Sequence, residues 1–259
     1  MSIINTTPDS FYDGGKYSTI NDILRKIEGD LNSGATFFDI GGYSSRPNAK
    51  NISEKEELER TSTTIKEIHK RFPEALISID SFRGKITQNA IDHGACMIND
   101  ISAWEMDDSM LNTVINNNVP YILMHMKGTP QNMQYQPSYE DVTKEVLIFF
   151  TKKIEILTKM GINDIIIDPG FGFGKSIANN YKLIADLSHF KILNRPILVG
   201  ISRKSMITKF LKIKTIDSLN STTALNMYAL INGAKILRVH DVTQAMECLK
   251  IHQEINNQD

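Results

Sequence analysis

Four times along this chain a stretch with helical spacing ends in a glycine that leads into a short apolar run: at Gly34-Ala35, Gly94-Ala95, Gly161-Ile162 and Gly233-Ala234. Glycine suits the left-handed position just past a helix, a conformation that costs other residues energy. Along the 259 residues the apolar runs number eight, at 1–4, 37–40, 76–79, 97–99, 121–124, 165–167, 197–199 and 236–239. They are rich in Ile, Val and Phe, and most are continuous rather than alternating, as strands buried on both faces of a parallel sheet are. Between them Ile20, Ile23, Leu24, Ile27 and Leu31 keep helical spacing, as do Val142, Val146, Phe149, Phe150 and Leu157, and then Leu225, Tyr228 and Ile231. Helix, glycine, buried strand and polar loop make a βα unit. Its repetition without a Pro/Ser-rich linker predicts an α/β fold, a closed (β/α)8 barrel, in one domain over 1–259.

Composition narrows the function classes. The chain is 41% hydrophobic and 23% charged, so it can bury a full core. Lys plus Arg is 29 and Asp plus Glu is 30, a net charge of −1, with no basic excess for nucleic acid or an anionic membrane. Two cysteines, Cys96 and Cys248, are too few for a disulfide scaffold or a four-thiolate zinc site. No apolar run approaches the ~18–20 residues of a membrane helix, and the first residues show no signal peptide. The expectation is a soluble cytoplasmic enzyme.

In such barrels the chemistry sits where the strands end, and here those ends are polar. They carry Asn5, Gly41-Gly42, Asp80-Ser81, Asn99-Asp100, His125, Asp168, Ser202-Arg203-Lys204 and Arg238-Val239-His240-Asp241. A lone Asp at a strand end is more often a helix cap, but polar ends converging on one mouth need partners or a ligand. Arg203, Lys204, Arg238 and His240 lie on the last two strands, where barrels often hold phosphate. Asn5 beside them is a neutral oxygen donor, a Mg²⁺ ligand if a diphosphate supplies further oxygens. Asp80, Asn99 and Asp168 suit a flat, amine-bearing heterocycle, with Phe173, Met124, Ile101 and Ile122 as its apolar walls. The stretch Gly170-Phe171-Gly172-Phe173-Gly174-Lys175 looks like a phosphate loop but does not fit G-x-x-x-x-G-K-[ST]. Asp13-Gly14-Gly15 and residues 41–47 read as loops able to fold over the mouth.

Six segments in order carry a family resemblance. They are Asn5-Thr6-Thr7-Pro8-Asp9-Ser10-Phe11 with Asp13-Gly14-Gly15; Asp39-Ile40-Gly41-Gly42 through Arg46-Pro47; Ile79-Asp80-Ser81; Ile98-Asn99-Asp100; 168–175; and 200–205 with 238–242. The chain resembles the dihydropteroate synthase family, (β/α)8 barrels, usually homodimers, that join 4-aminobenzoate to a dihydropterin methyl diphosphate and release diphosphate. The resemblance implies Mg²⁺ on Asn5 and the pterin on Asp80, Asn99, Asp168 and Lys204, with Met124 and Phe173 against it. It places the diphosphate on Arg238 and His240, with Val239 and Ser45 also on the pterin and diphosphate side. Phe11, Asp13, Ser45, Arg46 and Pro47 would belong to the loops that complete the 4-aminobenzoate site, and Ser205 would touch that substrate. Asp13, Lys204, Arg238 and His240 would carry catalysis.

Two departures stand out. Family members commonly have Glu-Ser-Thr-Arg-Pro where this chain has Tyr43-Ser44-Ser45-Arg46-Pro47. The chain also starts almost on its first strand, where the family carries a preceding segment. Other barrel chemistries remain to be weighed. A methyltransferase barrel that passes a methyl group from a folate to a corrinoid protein would share the Asp and Asn positions. It would not need the basic groups of the last two strands. A lysine-dependent aldolase would use Lys204. A degenerate paralogue would bind pterin without turnover.

Overall fold

The structure is a computed structural model, and it describes residues 1–6, 19–44 and 51–258. Eight parallel strands follow one another around a single sheet in chain order. They are β1 (Ser2–Asn5), β2 (Phe37–Gly41), β3 (Leu76–Asp80), β4 (Ala95–Asp100), β5 (Tyr121–Met124), β6 (Ile165–Asp168), β7 (Ile197–Val199) and β8 (Ala234–Leu237). The last seam closes where Val239 pairs with Ser2. There the Ile3 N–H donates to the Val239 carbonyl at 3.0 Å, and the Val239 N–H to the Met1 carbonyl at 3.0 Å. A closed (β/α)8 barrel results, as the alternating pattern predicts. Sequence places the eighth strand two residues too late. Its regular part is Ala234–Leu237, and Arg238 and Val239 form the tapering end that meets β1.

The strands are linked by helices α1 (Ile20–Asn32), α2 (Glu54–Arg71), α3 (Gly84–Asp92), α4 (Ser109–Asn117), α5 (Val142–Lys159) and α6 (Ile177–Ala185). Both α7 (Ser205–Leu211) and α8 (Leu219–Ile231) lie between β7 and β8, and α9 (Val242–Asn256) follows β8. Capping starts them where the loops end: Thr19 and Asp22 form a capping box on α1, Ser53 caps α2 and Asp141 caps α5. The four predicted helix-ending glycines all take positive φ, from 86° at Gly161 to 112° at Gly94. Among the described residues no helix is long and apolar enough to cross a membrane.

Two faces explain the continuous apolar runs. Phe38, Ile40, Ile77, Ile79, Leu123 and Ile167 point out and are buried against Ile27, Ile65, Ile68 and Phe150 of the helix ring. Met97, Ile122, Ile166 and Leu198 form a separate cluster with Phe37 and Ile236, the plug inside the barrel. Ile122, expected as a wall of the heterocycle site, belongs to this plug instead and is fully buried. Side chains alternate along a strand. The residues two positions beyond the plug are therefore Asn99, Met124, Asp168, Gly200 and Arg238. Register adds Asp80 beside Asn99, Gly41 beside Asp80 and Asn5 beside Gly41. The last inward position of each of the eight strands thus forms one ring at the mouth, and the predicted polar residues occupy most of it.

Candidate active site

Arg238 crosses this ring. Its Nε donates to Asp39 Oδ2 at 2.6 Å and its Nη2 to Asp80 Oδ2 at 2.7 Å. The Asn99 amide donates to the same Asp39 oxygen at 2.8 Å. One carboxylate, fully buried, therefore sets both the guanidinium and the amide. Burial works against the Arg238 charge, but Asp39 and Asp80 outweigh it and raise its pKa. Burial also raises the pKa of Asp80, helped by the nearby Asp39, Glu57 and Asp100 carboxylates and opposed by Arg238. Asp39 was legible only as part of a motif, not as a site residue. The signal was a carboxylate inside an otherwise apolar strand, Phe37-Phe38-Asp39-Ile40, whose outer neighbours face the helices.

Across the mouth Asp168 ends β6. It is buried, and its Oδ1 accepts the Gly170 N–H at 2.8 Å. Burial raises its pKa, against the pull of Lys204. Lys204 stands at the start of α7, donates to the Phe171 carbonyl at 2.5 Å and lies 4.7 Å from the centre of the Phe173 ring. Burial, with help from Arg238, lowers its pKa to about 8, although Asp168 and Asp80 oppose this. Between the two sides lies an apolar floor of Met124 and Ile101, joined to Tyr43 and Phe82 and flanked by Met106, Met126 and Phe173. Phe173, Met124 and Ile101 are thus beside the polar ring as expected.

Tyr43 turns inward rather than standing on a loop surface. Its ring meets Phe82 edge-on at 5.1 Å, the Arg83 guanidinium lies 5.5 Å from its centre, and its hydroxyl accepts from Gln131 at 2.9 Å. Arg83 in turn pairs with the buried Glu57 at 2.6 Å. Tyr43 therefore ties the β2, β3 and β5 loops together where the family commonly has an acid.

The basic residues of the last strands divide. His240 is held by Ser202: the ring Nδ1 lies 3.0 Å from the hydroxyl, which also accepts the His240 N–H at 3.2 Å. Arg203 does not join the phosphate group expected of it. It is buried with φ 55°, and both Nε and Nη2 donate to Asp241 at 2.8 Å. Its Nη1 donates to the Thr215 and Ile216 carbonyls at 2.9 Å, so it braces the α7–α8 connection. Val239 lies between these residues. Its side chain packs in the outer core, and its N–H and carbonyl are used in closing the barrel. Ser205 is exposed beside Lys204 at the first turn of α7. Lys175 is buried under the 170–174 turn, so that stretch is no phosphate loop. Phe11, Asp13, Ser45, Arg46 and Pro47 lie outside the described residues.

Among the described residues no group of three or more His, Cys, Asp or Glu side chains gathers to hold a metal. Asn5 supplies one neutral oxygen at the end of β1, beside Gly41. That donor set fits a Mg²⁺ that takes its other oxygens from a diphosphate and water, not one the protein cages alone.

Known proteins are similar to this chain over nearly its whole length. The family described as pterin binding enzyme matches residues 1–240. Dihydropteroate synthase of Escherichia coli K12 is 39% identical over 253 residues, covering 97% of this chain and 89% of that protein. The Haemophilus influenzae enzyme of the same name is 40% identical over 259 residues, covering 99% and 94%. Among solved structures, Yersinia pestis dihydropteroate synthase in a sulfonamide drug complex superposes with a TM-score of 0.95 at 37% identity, covering 100% of this chain and 94% of that one. The Xanthomonas albilineans enzyme with 4-aminobenzoic acid gives a TM-score of 0.91 at 36% identity, covering 99% and 92%.

The ion network predicts an asymmetry in stability. Asp39→Ala leaves the buried guanidinium with one carboxylate and the Asn99 amide without its acceptor. It should cost about 3–5 kcal/mol, whereas Asp80→Ala, at the partly open edge of the mouth, should cost less. Urea unfolding of both variants checks this, and equal losses would contradict it.

Proposed function

This chain belongs to the pterin-binding enzyme family as a dihydropteroate synthase, and on that premise we propose which residues do its chemistry. The reaction, a step of folate biosynthesis, joins 4-aminobenzoate to a dihydropterin methyl diphosphate and releases diphosphate. The observation that carries the assignment is the convergence of Asp80, Asn99, Asp168 and Lys204, from four different strand ends, over the apolar Met124, Ile101 and Phe173. A pterin is flat and apolar on its faces, with N–H donors and a carbonyl on its edge. The Asp168 oxygen not used by Gly170 accepts from that edge, as do Asp80 and Asn99. Lys204 donates to the carbonyl. Its partner there is a single backbone carbonyl, so the ammonium keeps donors for the substrate's carbonyl beside that bond.

The diphosphate lies on the opposite arc. Arg238 has no described partner at Nη1 and faces it from β8. His240, fixed by Ser202, and the start of α9 just beyond it favour an anion. Mg²⁺, held by Asn5 and the diphosphate itself, would supply charge neutralisation for the leaving group. The methylene C–O bond breaks first, and the electron pair leaves with the diphosphate. The positive charge left on the methylene is shared with the ring nitrogens, and the Asp13 carboxylate opposes it. The arylamine nitrogen then forms the new C–N bond and gives up its proton. Phe11, Ser45, Arg46, Pro47 and Ser205 complete the 4-aminobenzoate pocket.

The assembled protein is a cytoplasmic homodimer in this reading. Phe210, Ile216, Tyr228 and Ile231 are exposed on the neighbouring α7, α8 and the turn between them, an apolar sector suited to a second copy. Sedimentation equilibrium should give twice the chain's mass, and a monomer at micromolar concentration would remove this assignment.

Two outcomes test the site. Asp168→Asn presents an NH₂ to one pterin N–H and should weaken a pterin analogue by about 1–3 kcal/mol in calorimetry, leaving the KM for 4-aminobenzoate near its original value. Unchanged pterin affinity would overturn the assignment. Rapid-quench measurement with the pterin diphosphate and Mg²⁺ alone should show diphosphate release on the catalytic timescale. Release that waits for the arylamine would mean direct displacement instead.

A further inference from the structure

The 170–175 stretch is the one motif that the reaction leaves unexplained. Lys175 is 3% exposed. Its amine lies within hydrogen-bond reach of His125 Nδ1 at 2.9 Å and the His125 carbonyl at 3.2 Å, and of the Gly170 and Phe173 carbonyls at 2.9 and 3.0 Å. All four partners are neutral, since burial holds the His125 pKa well below the usual imidazole range, with Lys175 and Lys127 adding to the effect. A buried amine with only neutral partners costs stability. Its presence is explained by what it holds in place.

The loop it holds has every carbonyl accounted for. Lys175 takes the carbonyls of Gly170 and Phe173. Gln134 takes that of Gly172 at 2.6 Å, and the Tyr139 hydroxyl takes that of Gly174 at 2.8 Å. Asn180 accepts the Gly172 N–H at 2.7 Å. Only the Phe171 carbonyl remains, and it is the one that meets Lys204. The backbone also lies too close to the β5 loop for any side chain. A Cβ at Gly170 would stand 1.9 Å from the His125 carbonyl oxygen, and one at Gly174 would stand 2.3 Å from that of Lys127. Both glycines have positive φ, 71° and 62°. The turn is therefore pressed against the loop that follows β5 and tied at Gly170 and Phe173 by one amine.

We propose that Lys175 is a positioning residue of the pterin site: its buried amine folds the 170–174 turn into the shape in which the Phe171 carbonyl holds Lys204 and the Phe173 ring walls the pocket. The proposal rests on the reading of Lys204 and Phe173 as pterin contacts. Without the amine, the Phe173 carbonyl loses its donor and the Gly170 carbonyl keeps only the Phe173 N–H at 3.1 Å. The Phe171 peptide between them is then held by Asn180 alone, and the contact that aims Lys204 loosens. Lys175 is buried under the turn, so it acts through the groups the turn places, Lys204 and Phe173.

The test uses the whole chain with Lys175→Met and Lys175→Gln. The glutamine stays polar, but it is one bond shorter and carries an acceptor beside its donors, so it cannot tie the Gly170 and Phe173 carbonyls as the amine does; it decides the matter if the methionine variant does not fold. Calorimetry with a pterin analogue should show at least a tenfold loss of affinity, and kcat/KM for the pterin diphosphate should fall on the order of 10²-fold. The KM for 4-aminobenzoate should not move. The alkaline limb of kcat/KM should also shift, because Lys204 faces Asp168, Asp80 and Arg238 and its placement among them changes. In the double variant with Lys204→Gln, the Lys175 substitution should cost less pterin affinity than it does in the original chain. A folded Lys175→Gln protein with the original pterin affinity and alkaline limb would overturn the proposal, whatever its melting temperature. If the unmodified chain fails to bind the pterin analogue, it is the reading of the pterin site that fails; equal binding by unmodified chain and variants fails Lys175 alone.

Discussion

Arg238 is the last inward side chain before the barrel closes, and its guanidinium spans to β2 and β3 across the seam. The pairing is buried, so neither charge can be left alone without a large cost. It fixes the mouth in two ways. The Asp39 oxygen that takes Arg238 also takes the Asn99 amide, which orients the Asn99 side chain at the mouth. The Nη1 group, with no described partner, is the part of the guanidinium left for a ligand. A single ion network thus ties β2, β3, β4 and β8 together across the mouth.

The strands were legible because they are buried on both faces and therefore continuous in apolar residues. The same property hid their inner and outer sides. Tyr121-Ile122-Leu123-Met124 carries no polarity to mark a face, so Ile122 was read as a pocket wall although it lies one layer below Met124 in the plug. Asp39 was hidden in the opposite way, as a single carboxylate among apolar neighbours. Arg203 was misread because it sits between Ser202 and Lys204, both turned to the mouth, while a positive φ turns Arg203 itself away toward Asp241. Sequence shows which residue types gather at strand ends; register and backbone handedness decide which of them face inward.

Loop chemistry was the least legible part. Tyr43 replaces the acid common in the family, and nothing in its neighbours along the chain shows that it would stack on Phe82 and take Gln131, distant partners from other loops. The glycines before Lys175 resemble a phosphate loop whose spacing they do not fit. Those glycines serve a different need, the close passage of the turn over the β5 loop. In both cases the deciding contacts are long-range, whereas the residue types alone fit more than one role.

The most direct test is a crystal structure of the chain with the pterin methyl diphosphate and Mg²⁺. The account predicts the ring edge on Asp80, Asn99 and Asp168, its carbonyl on Lys204, and the diphosphate with Asn5, Arg238 and His240. A diphosphate seated instead on the 170–175 turn, or a ring bound outside the inward ring of strand ends, would contradict it.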